Sequence, residues 1–213
     1  MKTSRAKISL TVGTLVALAV ATGILYAANL SPFKNQAEVE ATDICPPLGR
    51  SSHSVDALNE VLPDASSYSF DHQVNPRLDD SDSSYESSCF ASGDGDQLLT
   101  AKAVLIQKES PENWVAWVKG TAADRESVTT LHPFSFGDSA SASSRFAAAS
   151  IACTGKGKIP GGAYNLSISV ELKKAGDVEN TTARAHLIEL VKSSATYAVK
   201  AAKCNIPLKL NVG

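Results

Sequence analysis

Residues 164–172 read YNLSISVEL, in which polar and apolar side chains alternate almost without interruption. A period of two is typical of a β-strand that buries one of its faces. Residues 146–154 are apolar enough to form a second strand, and the stretch 155–162 between the two contains four glycines. We therefore predict a hairpin over residues 146–172 with a glycine-rich turn.

A long helix is predicted directly after this hairpin, from Thr181 to Lys203. Its apolar and small residues recur at three- and four-residue spacing, so the helix has one face to bury. The residues of that face are Leu187, Leu190, Val191, Ser194, Ala198 and Ala201.

The first half of the domain shows a similar order of elements. Ser54 is predicted to cap a short helix that ends at Pro63, and residues 67–74 suit an edge strand. Residues 85–91 and 98–107 are predicted to pair around a Gly-Asp-Gly-Asp turn as another hairpin.

Residues 110–120 are predicted to form a second short helix, because Ser110 and Pro111 suit its first positions. Residues 114–118 could alternatively form a strand. The whole pattern predicts an α+β domain, an antiparallel sheet with helices packed on one face. The likeness of the halves suggests either an ancient duplication or two hairpins of independent origin.

The chain contains four cysteines, an even number, all beyond residue 43: Cys45, Cys89, Cys153 and Cys204. Two disulfides are expected, and the spacing does not suit a zinc site. Pairing Cys45 with Cys89 and Cys153 with Cys204 is favoured, because each bond would join a helix end to a strand of its own half. Pairing Cys45 with Cys204 and Cys89 with Cys153, or an interleaved arrangement, remains open.

The N-terminal segment decides the compartment. Residues 8–28 carry no charge, and this segment is long enough to cross a bilayer once as a helix. Three cations lie in residues 1–7, before the segment. We predict a cytoplasmic tip (1–7), a transmembrane signal-anchor helix (8–28), a linker (29–42) and an extracytoplasmic domain (43–213). The alternative is secretion after signal-peptide cleavage at the Ala-Val-Ala sequence of residues 19–21.

Three short motifs resemble those of small membrane-anchored or secreted extracytoplasmic proteins of actinobacteria. They are the Cys-Pro-Pro-Leu-Gly of residues 45–49, Ser88-Cys89-Phe90 and Ala152-Cys153-Thr154. The resemblance covers about residues 43–205 and implies a location and a fold, without an activity. This chain departs from the lipidated members because it has no anchor cysteine.

The charge balance argues against nucleic acid as a partner. The 213 residues include 20 basic and 22 acidic side chains, giving a net charge of -2. Binding to a phosphate backbone needs a basic surplus. The expected partners are instead the membrane, through the single span, and an envelope protein or ligand of unknown identity.

No catalytic, cofactor-binding or metal-binding residue is predicted. The four histidines, His53, His72, His132 and His186, have no nucleophile or acid at a recognisable spacing. The acidic stretch 79–86, with Asp94 and Asp96, does not match a calcium loop and is interpreted as solvated. Lys156 and Lys158 are assigned to a hairpin turn, which lacks the helix N-terminus of a phosphate site.

Trp114 and Trp117 are the only tryptophans of the chain. On one side of a short helix they would serve either the core or an interaction surface, and core packing is the default. The sequence thus favours a non-enzymatic cell-envelope protein with an extracytoplasmic binding or interaction domain. The alternatives are a secreted or anchored hydrolase and the ectodomain of a membrane regulatory complex.

Overall fold

The computed structural model describes residues 37–208. Three α-helices are present in this range: α1 (Ser52–Val61), α2 (Pro111–Thr121) and α3 (Asn180–Ala201). Seven strands are present in the same range: β1 (Tyr68–Asn75), β2 (Glu86–Gly93), β3 (Asp96–Gln107), β4 (His132–Pro133), β5 (Ser139–Ala142), β6 (Phe146–Ile159) and β7 (Gly162–Leu172).

The seven strands form one sheet in the order β1-β2-β3-β7-β6-β5-β4, and every neighbouring pair is antiparallel. The α+β class and the antiparallel sheet are therefore confirmed. The two shortest strands, β4 and β5, carry no sequence pattern of their own and were not predicted.

Serine caps begin the first two helices. The Ser51 hydroxyl accepts a hydrogen bond from the backbone N–H of Ser54, so Ser51, not Ser54 as predicted, is the N-cap of α1. The Ser110 hydroxyl does the same for Asn113 at the start of α2. Residues 114–118 are therefore helical, and the strand alternative is wrong.

The main core lies between one face of the sheet and the helices α1 and α3. Leu58 from α1, Leu187 from α3 and Ile168 from β7 are all fully buried in it. We call this the first face of the sheet. The apolar positions of YNLSISVEL point to it, so that its polar positions lie on the opposite, second face.

The prediction that all helices pack on one face is wrong for α2. Trp114 and Val118 of α2 pack with Phe146 and Ala148 of β6 in a separate small cluster. These two β6 residues alternate with Ala147 and Ala149, which belong to the main core. Helix α2 therefore covers the second face.

This arrangement also argues against an internal duplication. The sheet order places β3 beside β7 at its centre, as a twofold axis perpendicular to the sheet would require. Such an axis would leave the helix after β3 and the helix after β7 on the same face. They lie on opposite faces, so the two halves share an order of elements without sharing an arrangement.

Both disulfides follow the favoured pairing. Cys45 is bonded to Cys89 with a Cα–Cα distance of 6.2 Å, and Cys153 to Cys204 with 4.5 Å. The first joins the start of the domain to β2, and the second joins β6 to the end of α3. Two disulfides indicate an oxidising, extracytoplasmic environment.

The hairpin of β6 and β7 turns later than predicted. Strand β6 continues through Gly155 and Gly157 to Ile159, and Pro160 and Gly161 alone make the turn. Gly161 has φ +100°, a backbone conformation that side chains with a Cβ rarely adopt.

The folded domain also begins earlier than residue 43. Val39 is buried, and its N–H donates to the Asn59 side-chain oxygen at 2.8 Å. The predicted transmembrane segment, residues 8–28, lies outside the described residues. Within residues 37–208, no helix has the length and apolarity that crossing a bilayer requires.

Candidate functional site

The second face of the sheet carries a cavity beside α2. The alternation of β2, β3 and β7 directs one set of side chains to this face, and these form the cavity floor. The floor residues are Phe90, Thr100, Lys102, Val104, Ser167, Ser169 and Glu171. Because two of the three β7 residues of the floor, Ser167 and Ser169, are serines, the floor leaves room below the helix.

Helix α2 is held on this face by Trp114. The indole is 2% exposed, and its Nε1–H donates to the Ser167 hydroxyl at 3.0 Å. Val118, one turn later, is also buried against Phe146. These two anchors place α2 along the edge of the cavity, where it forms the wall.

Trp117 lies at the opening of the cavity and is 40% exposed. It also borders a second cavity of about 320 Å³, together with Ile106 and Asn113. An indole with this much exposed surface loses water contact when a ligand covers it, which favours binding.

The main cavity has a volume of about 380 Å³, which lies in the range of small-molecule sites. Phe90, Val104 and Trp117 provide apolar surface. The hydroxyls of Thr100, Ser169 and Thr121 provide hydrogen-bonding groups beside it.

Glu171 closes one end of the cavity. Its side chain is mostly buried and accepts hydrogen bonds from the backbone N–H groups of Ala123 at 3.3 Å and Asp124 at 2.7 Å. The carboxylate also forms an ion pair of 2.7 Å with Lys173. Glu171 thereby ties the segment after α2 to the sheet, and this holds the wall in place.

Lys102 is the most accessible charged group of the floor. It pairs with Glu86 at 2.7 Å, and the two side chains are 48% and 49% exposed. An ion pair this exposed contributes at most about 1 kcal/mol, so the ammonium can exchange its partner for a ligand anion.

The two tryptophans of the predicted interaction pair have different environments. Trp114 belongs to the small core below α2, and Trp117 lies at the cavity. The default interpretation as core residues holds for Trp114. A role of Trp117 in binding stays a prediction.

No histidine of the described range lines the main cavity. His53, His72 and His132 are exposed on α1, β1 and β4, and His186 is half-buried on α3. The structure therefore does not bring a histidine together with the cavity hydroxyls.

The acidic stretch is organised by turns. The Asp79 carboxylate accepts hydrogen bonds from the Ser81 hydroxyl and N–H, which lower its pKa. The Asp82 carboxylate accepts from the N–H of Leu78 and Ser84, and these bonds likewise lower its pKa. Within residues 37–208, no group of three or more acidic, histidine or cysteine side chains could hold a metal ion.

Apart from Trp117, sequence reasoning did not identify the residues that line the cavity, among them Phe90, Ser169 and Lys173. One signal was available, because the alternation of YNLSISVEL implies a second face rich in serine. What covers that face depends on where α2 packs, and local sequence does not determine this.

No protein-family model matches the chain, and the comparisons with curated proteins and with solved structures found no match either. What the cavity could bind is therefore inferred from its own side chains. They offer an apolar space with three aromatic side chains, several hydroxyls and, counting Lys102, Lys173 and Glu171, one net positive charge.

Proposed function

We propose that this protein is a non-enzymatic binding protein of the bacterial cell envelope. Its extracytoplasmic domain takes a small amphipathic ligand, with an apolar body and an anionic group, in the cavity between α2 and the sheet. The observation that carries the proposal is the half-exposed Trp117 at the opening of a cavity of about 380 Å³.

The apolar body of the ligand is accounted for by Phe90 and Trp117, two of the three aromatic side chains that line the cavity. Phe90 comes from the floor and Trp117 from the wall, so a planar or chain-like group can lie against both. Burying apolar surface stabilises a complex by roughly 25 cal/mol per Å² before the cost of association. This favours a ligand that is mostly hydrocarbon.

The anionic group is accounted for by Lys102. Its present partner Glu86 does not line the cavity, whereas Lys102 does. Lys173 adds a second cation, although its ion pair with the mostly buried Glu171 makes it less available. An acidic headgroup in the cavity would take the place of Glu86 as the partner of Lys102. The weak surface ion pair would thus be exchanged for one with the bound ligand.

Binding is tested with 8-anilinonaphthalene-1-sulfonate, an aromatic monoanion whose fluorescence rises in apolar surroundings. We expect saturable binding to the native protein. Trp117→Ala should raise the dissociation constant at least about tenfold, equivalent to about 1.4 kcal/mol. Ser169→Trp, which fills the floor, should also weaken binding at least tenfold.

The matched control is Leu78→Ala, which truncates an apolar side chain that is 85% exposed and does not line the cavity. This variant should bind like the wild type. The uncharged analogue N-phenyl-1-naphthylamine should bind more weakly, and Lys102→Ala should remove most of that difference. Equal affinities in wild type, Trp117→Ala and Ser169→Trp would overturn the proposed site.

The location proposed for this domain is the outer side of the cytoplasmic membrane, anchored by residues 8–28 with the N-terminus inside. The two disulfides support export. A tag after Gly213 is expected to be degraded by protease added to intact spheroplasts, while a cytoplasmic marker survives.

The same preparation distinguishes a membrane-anchored chain from one that is secreted after signal-peptide cleavage. An anchored chain is recovered with the membranes and keeps residue 1 or 2 at its N-terminus. A mature N-terminus at Thr22 in the medium would show cleavage after the Ala-Val-Ala sequence. Protection of the tag would contradict export altogether.

A further inference from the structure

The two edge strands of the sheet differ in how well they are protected against pairing with a further strand. Strand β4 has two residues, one of them Pro133, and so offers almost no backbone for pairing. Strand β1 has eight residues without proline or lysine, and β2 is its one partner among the described strands. Its residues 71–75 are all exposed. In the part of the chain that the structure describes, β1 therefore presents a long free edge.

The sequence of β1 is complementary to itself. When two copies pair about a twofold axis perpendicular to the sheet, the strands are antiparallel and each residue faces one on the same face of the other strand. With His72 opposite its own symmetry mate, Phe70 lies opposite Val74 and Asp71 opposite Gln73. Val74 is 38% exposed, and this register covers it with an aromatic ring.

The neighbouring symmetric registers are less favourable. A shift in one direction places Asp71 opposite Asp71, which brings two like charges together. A shift in the other direction places Pro76 opposite Phe70 and leaves a pairing position without an N–H donor. The register centred on His72 avoids both problems.

We propose that β1 pairs with β1 of a second copy of this chain, in the register centred on His72. The two sheets then continue into one another. Because the axis is perpendicular to the sheet, the cavities of both copies open on the same side. Phe90 lies on β2, the strand next to β1, so each cavity is close to the joint.

The register is tested by crosslinking full-length chains that carry single cysteines. In the proposed register Ser69 faces Asn75 of the other copy, at a Cβ distance of roughly 5 Å. Two copies of residue 69 are instead about 20 Å apart, because six residues separate them along the strand. Ser69→Cys and Asn75→Cys chains are given different tags, mixed and treated with a short bis-maleimide.

We expect the mixture to crosslink at least tenfold more than either variant alone. A reducing gel removes any contribution of the native disulfides. Adding Val74→Lys to both chains should lower the yield at least tenfold, because a lysine opposite Phe70 disrupts the pair. Adding Leu78→Lys, which changes an exposed apolar residue outside the strand, should leave the yield within twofold.

Two results would overturn the proposal. One is a yield from the mixture no higher than from the single variants. The other is preferential crosslinking of Ser69→Cys with Gln73→Cys, which would indicate the register that places Asp71 opposite Asp71. Neither readout depends on a ligand in the cavity, so the pairing and the proposed binding function are tested separately.

Discussion

Replacing both Cys153 and Cys204 by alanine is expected to lower the free energy of unfolding by about 4 kcal/mol. The bond closes a loop across a sequence separation of 51 residues, so in its absence the unfolded chain gains many conformations. The bond also holds the end of α3 against β6, where the N–H of Asn205 donates to the Cys153 carbonyl at 3.0 Å.

Guanidinium denaturation of the double variant and the wild type measures the difference. Reductant is the control. It should lower the free energy of unfolding of the wild type by more than that of the double variant, because the wild type loses two disulfides and the double variant has only one left to lose. A loss below about 1 kcal/mol would contradict the expectation. Non-reducing peptide mapping is the independent check, and a peptide that links Cys89 to Cys153 would contradict the pairing itself.

Replacing Arg77 by methionine is expected to lower the free energy of unfolding by about 3 kcal/mol. Arg77 is 3% exposed and lies in the segment between β1 and β2. Its Nη1 donates to the Ala202 carbonyl at 2.8 Å, and its Nε donates to the Asp82 carbonyl at 2.6 Å.

The physical reason is the C-terminus of α3. The last carbonyls of a helix have no partner within the helix and carry partial negative charge, which a cation stabilises. Methionine fills much of the same volume but donates no hydrogen bond, so buried carbonyls lose their partner. The stability of Arg77→Lys should lie between those of the wild type and Arg77→Met, because lysine keeps the charge without the planar arrangement of donors.

The matched control is Arg125→Met, which removes an exposed guanidinium. It should change stability by less than about 0.5 kcal/mol. Thermal unfolding followed by circular dichroism compares the four proteins. Equal melting temperatures for Arg77→Met and Arg125→Met would show that the buried hydrogen bonds do not stabilise the end of α3.

The sequence predicted the elements that have a strong local pattern. Strand β7 and helix α3 followed from periodicities of two and about 3.6 residues, and α2 followed from the cap at Ser110. The favoured disulfide pairing also followed from the order of elements, because each cysteine pair was expected within one half. Such patterns are local and remain visible in the sequence.

The role of Arg77 could not be predicted. In the sequence it is one cation beside an acidic stretch, which suggests a solvated loop. In the structure it bonds to Ala202, 125 positions further along the chain. Its burial depends on where that loop meets the end of α3, which is a contact between distant segments.

By itself, the sequence determined an α+β domain with an antiparallel sheet and two disulfides, because periodicity, turn residues and cysteine spacing are properties of neighbouring residues. Only the tertiary structure decided which face each helix covers. Placing α2 on the second face separated Trp114 from Trp117 and created the cavity between helix and sheet. The choice of face depends on packing between segments far apart in the chain, and no local pattern records it.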